Sequence, residues 1–311
     1  MAHVKDFKWK KNMKVSQLVD SLEGVGFQSI ELANACKTII KMKKNCAKIF
    51  FTFTSNMVTS GLRGLFAQVI EKKMCDVIVT TVGGIEEDIM KSKGEKFSIG
   101  DFSTDDVALY EKGVNRVGNL FINNESYCRF EDMIMPILDK LYKIKPVWTP
   151  SEMLREIGLM LDDESSILYQ AAKNNVPIFC PAITDGSFGF HLFMYQQDHK
   201  DFIVDVIGDF KNILFSTSQD DKKGLISLGG SISKHHAILA CLLNGGLDYA
   251  VYMTTASHTS GSMSGATTKE AKSWGKIKDD SDAATVIGDV TITFPIAMIK
   301  VFESLSDEDL I

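Results

Sequence analysis

The sequence lacks the short motifs that most often assign a function. It has no CxxC pair among its six cysteines, and no HExxH, GxSxG or GxGxxG string. These absences argue against a zinc site, a hydrolase nucleophile elbow and the ordinary dinucleotide-binding motif, and we predict no metal. The scattered cysteines lie mostly in apolar runs, which favours reduced, buried thiols in an intracellular, cytoplasmic protein.

Long apolar runs are also missing. The longest, such as residues 237–243, are far shorter than a bilayer requires, and no apolar segment follows the basic start as in a secretory signal. The formal net charge of −6 argues against nucleic acid as a partner and would suit a cationic substrate or a basic protein. We therefore expect neither a membrane nor a nucleic-acid partner.

Short apolar runs alternate with helical patterns along most of the chain. Small or polar residues follow each run, which is typical of βαβ units and predicts an α/β fold with a central parallel sheet and helices on both faces. We interpret residues 1–311 as one domain, with an arm and two helices in 1–43 and an α/β core in 44–311. The predicted strands are residues 47–52, 76–81, 177–182, 225–228, 249–254 and 284–287.

The segments between these strands predict helices and one excursion. Residues 92–130 are polar and predict loops with a short hairpin. Glu86, Glu87 and Asp88 are expected to open a helix, and Ser151 is expected to cap another. The remaining helices are predicted at residues 59–71, 130–142, 151–174, 202–213, 233–244 and 291–305.

Polar turns follow the predicted strands and would lie at one edge of the sheet. Ligands bind at the carboxyl ends of parallel strands, and glycines and hydroxyls there suit a phosphate-bearing cofactor. The same turns are equally explained as connections that any parallel fold needs. They are Ser55-Asn56, residues 81–87, 184–187, 229–236 and 254–256, and Gly288-Asp289.

Lys276 is the candidate for covalent chemistry. Trp274 lies two positions before it, and an aromatic wall can hold a cation or desolvate an amine. A solvated surface lysine is the simpler interpretation. Glu86 and Glu87 have two explanations, since acids in a first helical turn offset the macrodipole and can also bind a ribose or an amine.

Eight strings, taken together, resemble the deoxyhypusine synthase family. They keep the family's order from about residue 15 to residue 303, and SWGK and GGIEED are the most specific. The strings are residues 54–56 (TSN), 76–88 (DVIVTTVGGIEED), 114–119 (VNRVGN), 127–136 (YCRFEDMIMP), 181–187 (PAITDGS), 234–236 (KHH), 248–252 (DYAVY) and 273–277 (SWGKI).

The resemblance implies a Rossmann-like, NAD-dependent transferase that acts on spermidine or a related polyamine. The aminobutyl unit would be captured as an imine on Lys276 and passed to a lysine of the hypusine-bearing translation factor precursor. His235 would assist proton removal from the amine. The family is a homotetramer with active sites at a dimer interface, and the same assembly is expected here.

The family's binding residues carry over position by position. The amine side would comprise Glu86, Glu87, His235, Glu270 and Trp274. The NAD side would comprise Ser55, Asn56, Met57, Val58, Thr59, Thr81, Val82, Gly83, Glu87, Asp185, Gly230, Thr255, Ala256, Asp289 and Val290.

Three positions depart from the family pattern. Phe190 and Met263 stand where the family has aspartates that bind ammonium groups, and Ser231 stands where a third glycine is usual. An ammonium buried without its counter-charge is strongly disfavoured, so these changes predict weaker spermidine binding. Two alternatives therefore stay open, a homospermidine synthase-like enzyme with another amine donor or acceptor, and a catalytically weak partner-subunit paralogue.

Overall fold

The structure is a computed structural model that describes residues 3–311. Residues 1 and 2 of the predicted arm lie outside the described residues, and residues 3–14 form no helix or strand. The chain separates into two compact units. The first contains residues 3–53, 72–79 and 212–311, and the second contains residues 54–71 and 80–211. The single-domain organisation stays a prediction.

Helices occupy much of both units. In chain order they are α1 (Val15–Leu22), α2 (Gln28–Lys44), α3 (Ser55–Thr59), α4 (Arg63–Glu71), α5 (Val82–Ser92), α6 (Asp106–Glu111), α7 (Asn124–Ile144), α8 (Pro150–Leu159), α9 (Ile167–Lys173), α10 (Ser187–Asp198), α11 (Val206–Leu214), α12 (Ser231–Leu243), α13 (Thr268–Lys272) and α14 (Val290–Ser306). None of those between residues 3 and 311 is long and apolar enough to cross a membrane.

Strands are shorter and cluster by unit. In chain order they are β1 (Lys48–Phe53), β2 (Val77–Thr80), β3 (Ser98–Ile99), β4 (Val114–Val117), β5 (Leu120–Asn123), β6 (Val147–Trp148), β7 (Ile178–Phe179), β8 (Ile203–Val204), β9 (Lys223–Leu228), β10 (Leu247–Thr254) and β11 (Ile277–Ile287).

A parallel sheet forms the centre of the first unit, in the order β11-β10-β9-β1-β2, and confirms the predicted fold class. Every residue of β9 is buried, as is every residue of β1 except the first. Strands buried on both faces require continuous apolar runs, which explains the sequence KIFFTF. The polar pair inside the sheet is satisfied, because Thr52 Oγ1 donates to Ser227 Oγ at 3.0 Å. Helices α2, α12, α13 and α14 flank these strands.

The second unit is mainly helical. Its excursion folds as an antiparallel sheet in the order β3-β5-β4, which confirms the predicted hairpin. Thr149 caps α8 through a capping box with Glu152, and Pro150 takes the first helical position. Ser151 was the predicted cap, and the assignment is wrong because the hydroxyl before a proline is the better cap.

Two further expectations are corrected in this unit. Helix α5 begins at Val82, so Glu86 and Glu87 lie in its second turn and do not offset the macrodipole of a first turn. Helix α10 was not predicted, because its aromatic- and glycine-containing sequence has weak helix propensity and little amphipathic pattern. The predicted helix 59–71 is observed as α4, which begins later, at Arg63, because α3 ends at Thr59 and Gly61 between them has φ +102°.

Candidate functional site

A cavity of about 300 Å³ in the first unit contains Lys276. Lys276 follows α13 and a turn in which Gly275 has φ +67°, and it lies directly before β11. Its Nζ is 4.8 Å from the centre of the Trp274 ring, which is a cation–π distance and places the predicted aromatic wall beside the lysine. The lining residues are Lys234, His235, Ile238, Tyr252, Gly261, Met263, Ala266, Glu270, Ala271, Trp274 and Lys276.

The two histidines of α12 have different environments. His235 is exposed and lines the cavity. His236 is less exposed, and burial, reinforced by the neighbouring His235, lowers the pKa of its imidazole to about 4. An imidazole with that pKa is neutral at pH 7. The pair thus comprises one histidine that is partly buried and one that is exposed at the cavity, and the proton-transfer role of His235 stays a prediction.

Lys234 is a charged residue of the cavity that has no solvent exposure. Its Nζ donates to the carbonyl oxygens of Met263 at 3.0 Å and Ala266 at 2.8 Å. It also lies 3.9 Å from the centre of the Tyr252 ring. Burial lowers the pKa of the Lys234 ammonium to about 8, with the carboxylate of Glu270 opposing the shift.

The second unit places Glu87 beside Thr59. Thr59 Oγ1 lies 2.8 and 2.7 Å from the two carboxyl oxygens of Glu87, and both residues are buried. Burial raises the pKa of Glu87 to about 7, although the hydrogen bond from Thr59 and the charge of Lys91 oppose the shift. Glu87 therefore changes charge near neutral pH. Residues with such shifted pKa values are concentrated at functional sites.

Glu86 faces a different element of the same unit. Its Oε1 accepts a hydrogen bond from the backbone N–H of Phe188 at 2.7 Å, and burial raises the pKa of the carboxyl group. A Cβ at Gly186 would lie 2.5 Å from Glu86 Oε1 and 2.8 Å from Val82 Cγ1, so a larger residue there would displace the Glu86 carboxyl. Tyr127 is close enough that the two acids, after burial, raise the pKa of its phenol to about 12.

Asp88, the third acid of GGIEED, has a structural role. It accepts hydrogen bonds from Ser166 Oγ and the N–H of Leu168, both at 2.8 Å, and forms an ion pair with Arg63. Arg63 also contacts Asp163 at 2.6 Å. This buried network ties α5 to α4 and α9. Within residues 3–311, Glu86 and Glu87 are the acids of the motif that form no such ion pair.

The turns after β1 and β2 contact each other. The N–H of Ser55 donates to Thr81 Oγ1 at 2.9 Å, and a Cβ at Gly83 would lie 3.0 Å from that of Ser55. Thr80 Oγ1 is buried and has no hydrogen-bond partner within residues 3–311. Of the other predicted cofactor residues here, Met57, Val58 and Val82 are buried, whereas Asn56 and Asp185 are exposed.

The remaining predicted cofactor residues lie in the first unit, at the carboxyl ends of β9, β10 and β11. Gly230 packs closely on the loop of residues 261–266, which lines the cavity, and a Cβ at Gly230 would lie 2.4 Å from Ser264 Cα. Thr255 and Ala256 follow β10, where the N–H of Ala256 donates to Thr254 Oγ1. Asp289 caps α14 immediately before Val290. The prediction that these turns share one edge is thus met within this unit.

The departures from the family pattern occupy distinct places. Met263 lines the cavity of Lys276. Phe190 lies on α10 with 57% of its surface exposed. Ser231 has φ +58°, in the left-handed region that favours glycine, and its N–H donates to Ser264 Oγ at 3.0 Å.

Between residues 3 and 311, no group of three His, Cys, Asp or Glu residues could hold a metal ion.

Comparison with known proteins decides the family. A deoxyhypusine synthase family model matches residues 17–301. The deoxyhypusine synthase of Kluyveromyces lactis is 38% identical over 94% of this chain and 89% of its own length. That of Senecio vernalis is 37% identical over 99% of this chain and 91% of its own. The chain belongs to the deoxyhypusine synthase family.

A solved structure agrees with this family assignment. A crystal structure described as that of a "putative deoxyhypusine synthase" from Entamoeba histolytica is 28% identical, with a TM-score of 0.69. The match covers 96% of this chain and 97% of that one. Members of the deoxyhypusine synthase family are transferases, so the chain is an enzyme of this kind, and the two alternatives raised from the sequence are not favoured.

Lys234 is the charged cavity residue for which the sequence predicted no role. Lys234 was matched to the family only as part of the string KHH, and no role was predicted for it. A signal was available, because Lys234 lies at helical spacing from Ala237, Ile238 and Cys241, which are buried and apolar. A lysine on a buried helix face needs hydrogen-bond partners, which points to a neighbouring loop.

Proposed function

We propose that this chain transfers the aminobutyl group of spermidine, through an imine on Lys276, to a lysine of the hypusine-bearing translation factor precursor. The observation that carries the proposal is the placement of Lys276 in a cavity with Trp274, His235 and Glu270, in a member of the deoxyhypusine synthase family. These are the residues that a covalent amine transfer requires.

Each cavity residue has a chemical task in this proposal. Lys276 would add to the oxidised carbon of the polyamine, whose bond to the polyamine nitrogen would then break. The three-carbon diamine portion would leave, and the aminobutyl unit would remain as an imine on Lys276 until the lysine of the factor displaces it. The face of Trp274 binds a cationic nitrogen, and the carboxylate of Glu270 attracts an ammonium group of the polyamine. His235 accepts a proton from the amine that is oxidised, since it is the exposed histidine of the pair.

The second unit fits part of an NAD molecule. Thr80 Oγ1 is a buried hydroxyl that still has hydrogen-bonding capacity, and Glu87 is a buried carboxyl that can accept from a ribose hydroxyl. In that unit, the residues proposed for NAD are Ser55–Thr59, Thr81, Val82, Gly83, Glu87 and Asp185, and in the first unit they are Gly230, Thr255, Ala256, Asp289 and Val290. When bound, NAD accepts a hydride and later returns it.

The assembly and location are part of the same proposal. We infer a homotetramer with active sites at a dimer interface, as the family resemblance implies, and a cytoplasmic location. Spermidine is the proposed amine, and Glu86 and Glu87 are further candidates for its ammonium groups because both carboxyls are buried.

The test is a transfer assay with a trapping step. The protein is incubated with NAD, labelled spermidine and the translation factor precursor, and label is expected in the factor. Borohydride added before the factor should fix label on the peptide that contains Lys276. Label that appears only in free polyamines would contradict the proposal and favour a homospermidine-forming reaction.

Variants make the assignment specific. Lys276→Arg should fold and bind NAD but give no trapped adduct and no transfer, because a guanidinium does not form the imine. The matched control is Lys278→Arg. Lys278 lies two positions along the chain and is engaged in an ion pair with Asp248 at 2.7 Å, so this variant should retain transfer.

A further inference from the structure

The loop of residues 261–266 forms one wall of the cavity and is rich in small residues. Its internal hydrogen bonds are those of one short turn. The N–H groups of Gly265 and Ala266 donate to the carbonyl of Ser262, that of Ala266 also donates to the carbonyl of Met263, and that of Ser264 donates to Ser262 Oγ. Such a loop has a high conformational entropy unless other elements hold it. Met263 is the side chain that it contributes to the cavity, together with the smaller Gly261 and Ala266.

The first turns of α12 hold this loop at three points. Lys234 Nζ donates to the carbonyls of Met263 and Ala266, which lie on either side of Ser264. Between them, the N–H of Ser231 donates to Ser264 Oγ, and Gly230 packs against the Ser264 backbone. Two residues of the wall, Met263 and Ala266, are thus bound to the same buried ammonium.

The third N–H of the ammonium is directed to an aromatic surface. Tyr252, in β10, lies with its ring centre 3.9 Å from Lys234 Nζ and has only 1% of its surface exposed. The ammonium thus contacts two carbonyl oxygens and one aromatic ring. Hydrogen bonds from a charged donor are the stronger kind, so the loop is held by β10 and α12 through one side chain.

We propose that Lys234 is a positioning residue for the amine substrate, which fixes the wall of residues 261–266 against α12 so that Met263 and Lys276 face the same cavity. The inference rests on the proposed function for its substrate, an aliphatic polyamine. The contacts of the Lys234 ammonium are with the carbonyls of Met263 and Ala266 and the ring of Tyr252, so its proposed role is to hold the wall. Its loss should weaken amine binding more than NAD binding, because Gly230 is the proposed NAD residue that packs on this loop.

The first experiment uses Lys234→Met, which keeps the length of the side chain and removes the donors. Loss of two charge-assisted hydrogen bonds should raise KM for spermidine by about tenfold or more. The dissociation constant for NAD should stay within about twofold, since the loss falls on the amine wall. Hydrogen–deuterium exchange at Gly265 and Ala266 should become faster.

Lys223 offers a matched control in the same unit. It is also fully buried, and its Nζ donates to the carbonyls of Ser218 at 2.8 Å and Asp221 at 2.6 Å. Lys223→Met should lower thermal stability as Lys234→Met does, with faster exchange at residues 218–221. It should leave exchange at residues 261–266 and the KM for spermidine unchanged.

Ser264→Ala serves as a second variant where Lys234→Met does not fold. It removes the acceptor of the Ser231 N–H without burying a lone charge, and should raise exchange and KM in the same direction by a smaller factor. A looser loop with an unchanged KM overturns the proposal, and so does an unchanged loop. The exchange measurement needs no substrate, so a failure of spermidine chemistry in the wild type is recognised separately.

Discussion

The buried charges of the two units differ in the partners that they bond. Glu87 in the second unit bonds the hydroxyl of Thr59, whereas Lys234 in the first bonds two main-chain carbonyls. Burial favours the neutral form of both, which raises the pKa of Glu87 to about 7 and lowers the pKa of Lys234 to about 8. The direction of the two shifts is opposite because the charges are opposite.

The difference in partners matters for function. A hydroxyl donates or accepts as required, so Thr59 stays bonded to Glu87 whether the carboxyl is ionised or protonated. A carbonyl only accepts, so the partners of Lys234 suit one arrangement of the ammonium. The acid is therefore suited to a change of charge when a ligand binds, and the lysine is suited to holding a fixed wall.

Replacement of Glu87 should give the largest change in the free energy of unfolding. Glu87 has a folded pKa of about 7, above its ordinary value of 4.5, so the folded state binds more protons between these pH values. The stabilisation that protonated Glu87 gives to the folded state is present below pH 4.5 and is lost as pH rises through 7. Glutamine does not titrate, so between pH 4.5 and 8 the free energy of unfolding of Glu87→Gln minus that of the wild type should rise by about 3 kcal/mol. Denaturant titrations at several pH values measure the difference, and parallel curves would contradict the prediction.

The buried lysine should show the opposite dependence. Its folded pKa of about 8 lies below the ordinary value of 10.5, so the unfolded state binds more protons between these values. Stability of the wild type relative to Lys234→Met should therefore rise by about 2 kcal/mol between pH 8 and 9.5. Urea titrations of both proteins provide the test. A difference that stays constant with pH would show that the comparison with Glu87 does not hold.

A backbone change should give the smallest effect. Ser231 has φ +58°, which costs an L-residue free energy that glycine does not lose. Ser231→Gly should stabilise the protein by about 0.5–1 kcal/mol, measured by thermal unfolding, after the greater chain entropy of glycine is subtracted. Gly229→Ala is the reverse control, since Gly229 has φ +80° and the variant should be less stable. A destabilised Ser231→Gly would show that the serine has a compensating contact.

Much of the core could be predicted from the sequence. The apolar runs that became β1, β2, β9 and β10 were predicted because a strand buried on both faces leaves a continuous pattern. Helix α10 has no recognisable sequence pattern. Its aromatic residues and glycine do not favour a helix locally, and its stability comes from packing. Only residues 284–287 of β11 were predicted, because Asp279, Asp280 and Asp282 resemble a loop.

The candidate site was predicted in part for a related reason. Trp274 and Lys276 are close in sequence, so their contact follows from the local chain. Lys234 and the loop at residues 261–266 are about thirty positions apart, and their contact depends on how α12 packs beside β10. A family motif assigns such residues to one place, but a sequence pattern does not give the hydrogen bonds between them.

The position of β11 at the end of the sheet order has a consequence for behaviour at high concentration. An edge strand offers unpaired N–H and C=O groups to any other extended chain, and long apolar edges promote aggregation. Here the exposed aspartates at positions 279, 280 and 282 lie along that edge. Another strand that approached it would have to bring charge of its own or desolvate these carboxylates. The aspartates that made β11 resemble a loop in the sequence thus also disfavour pairing of this edge with a strand of another molecule.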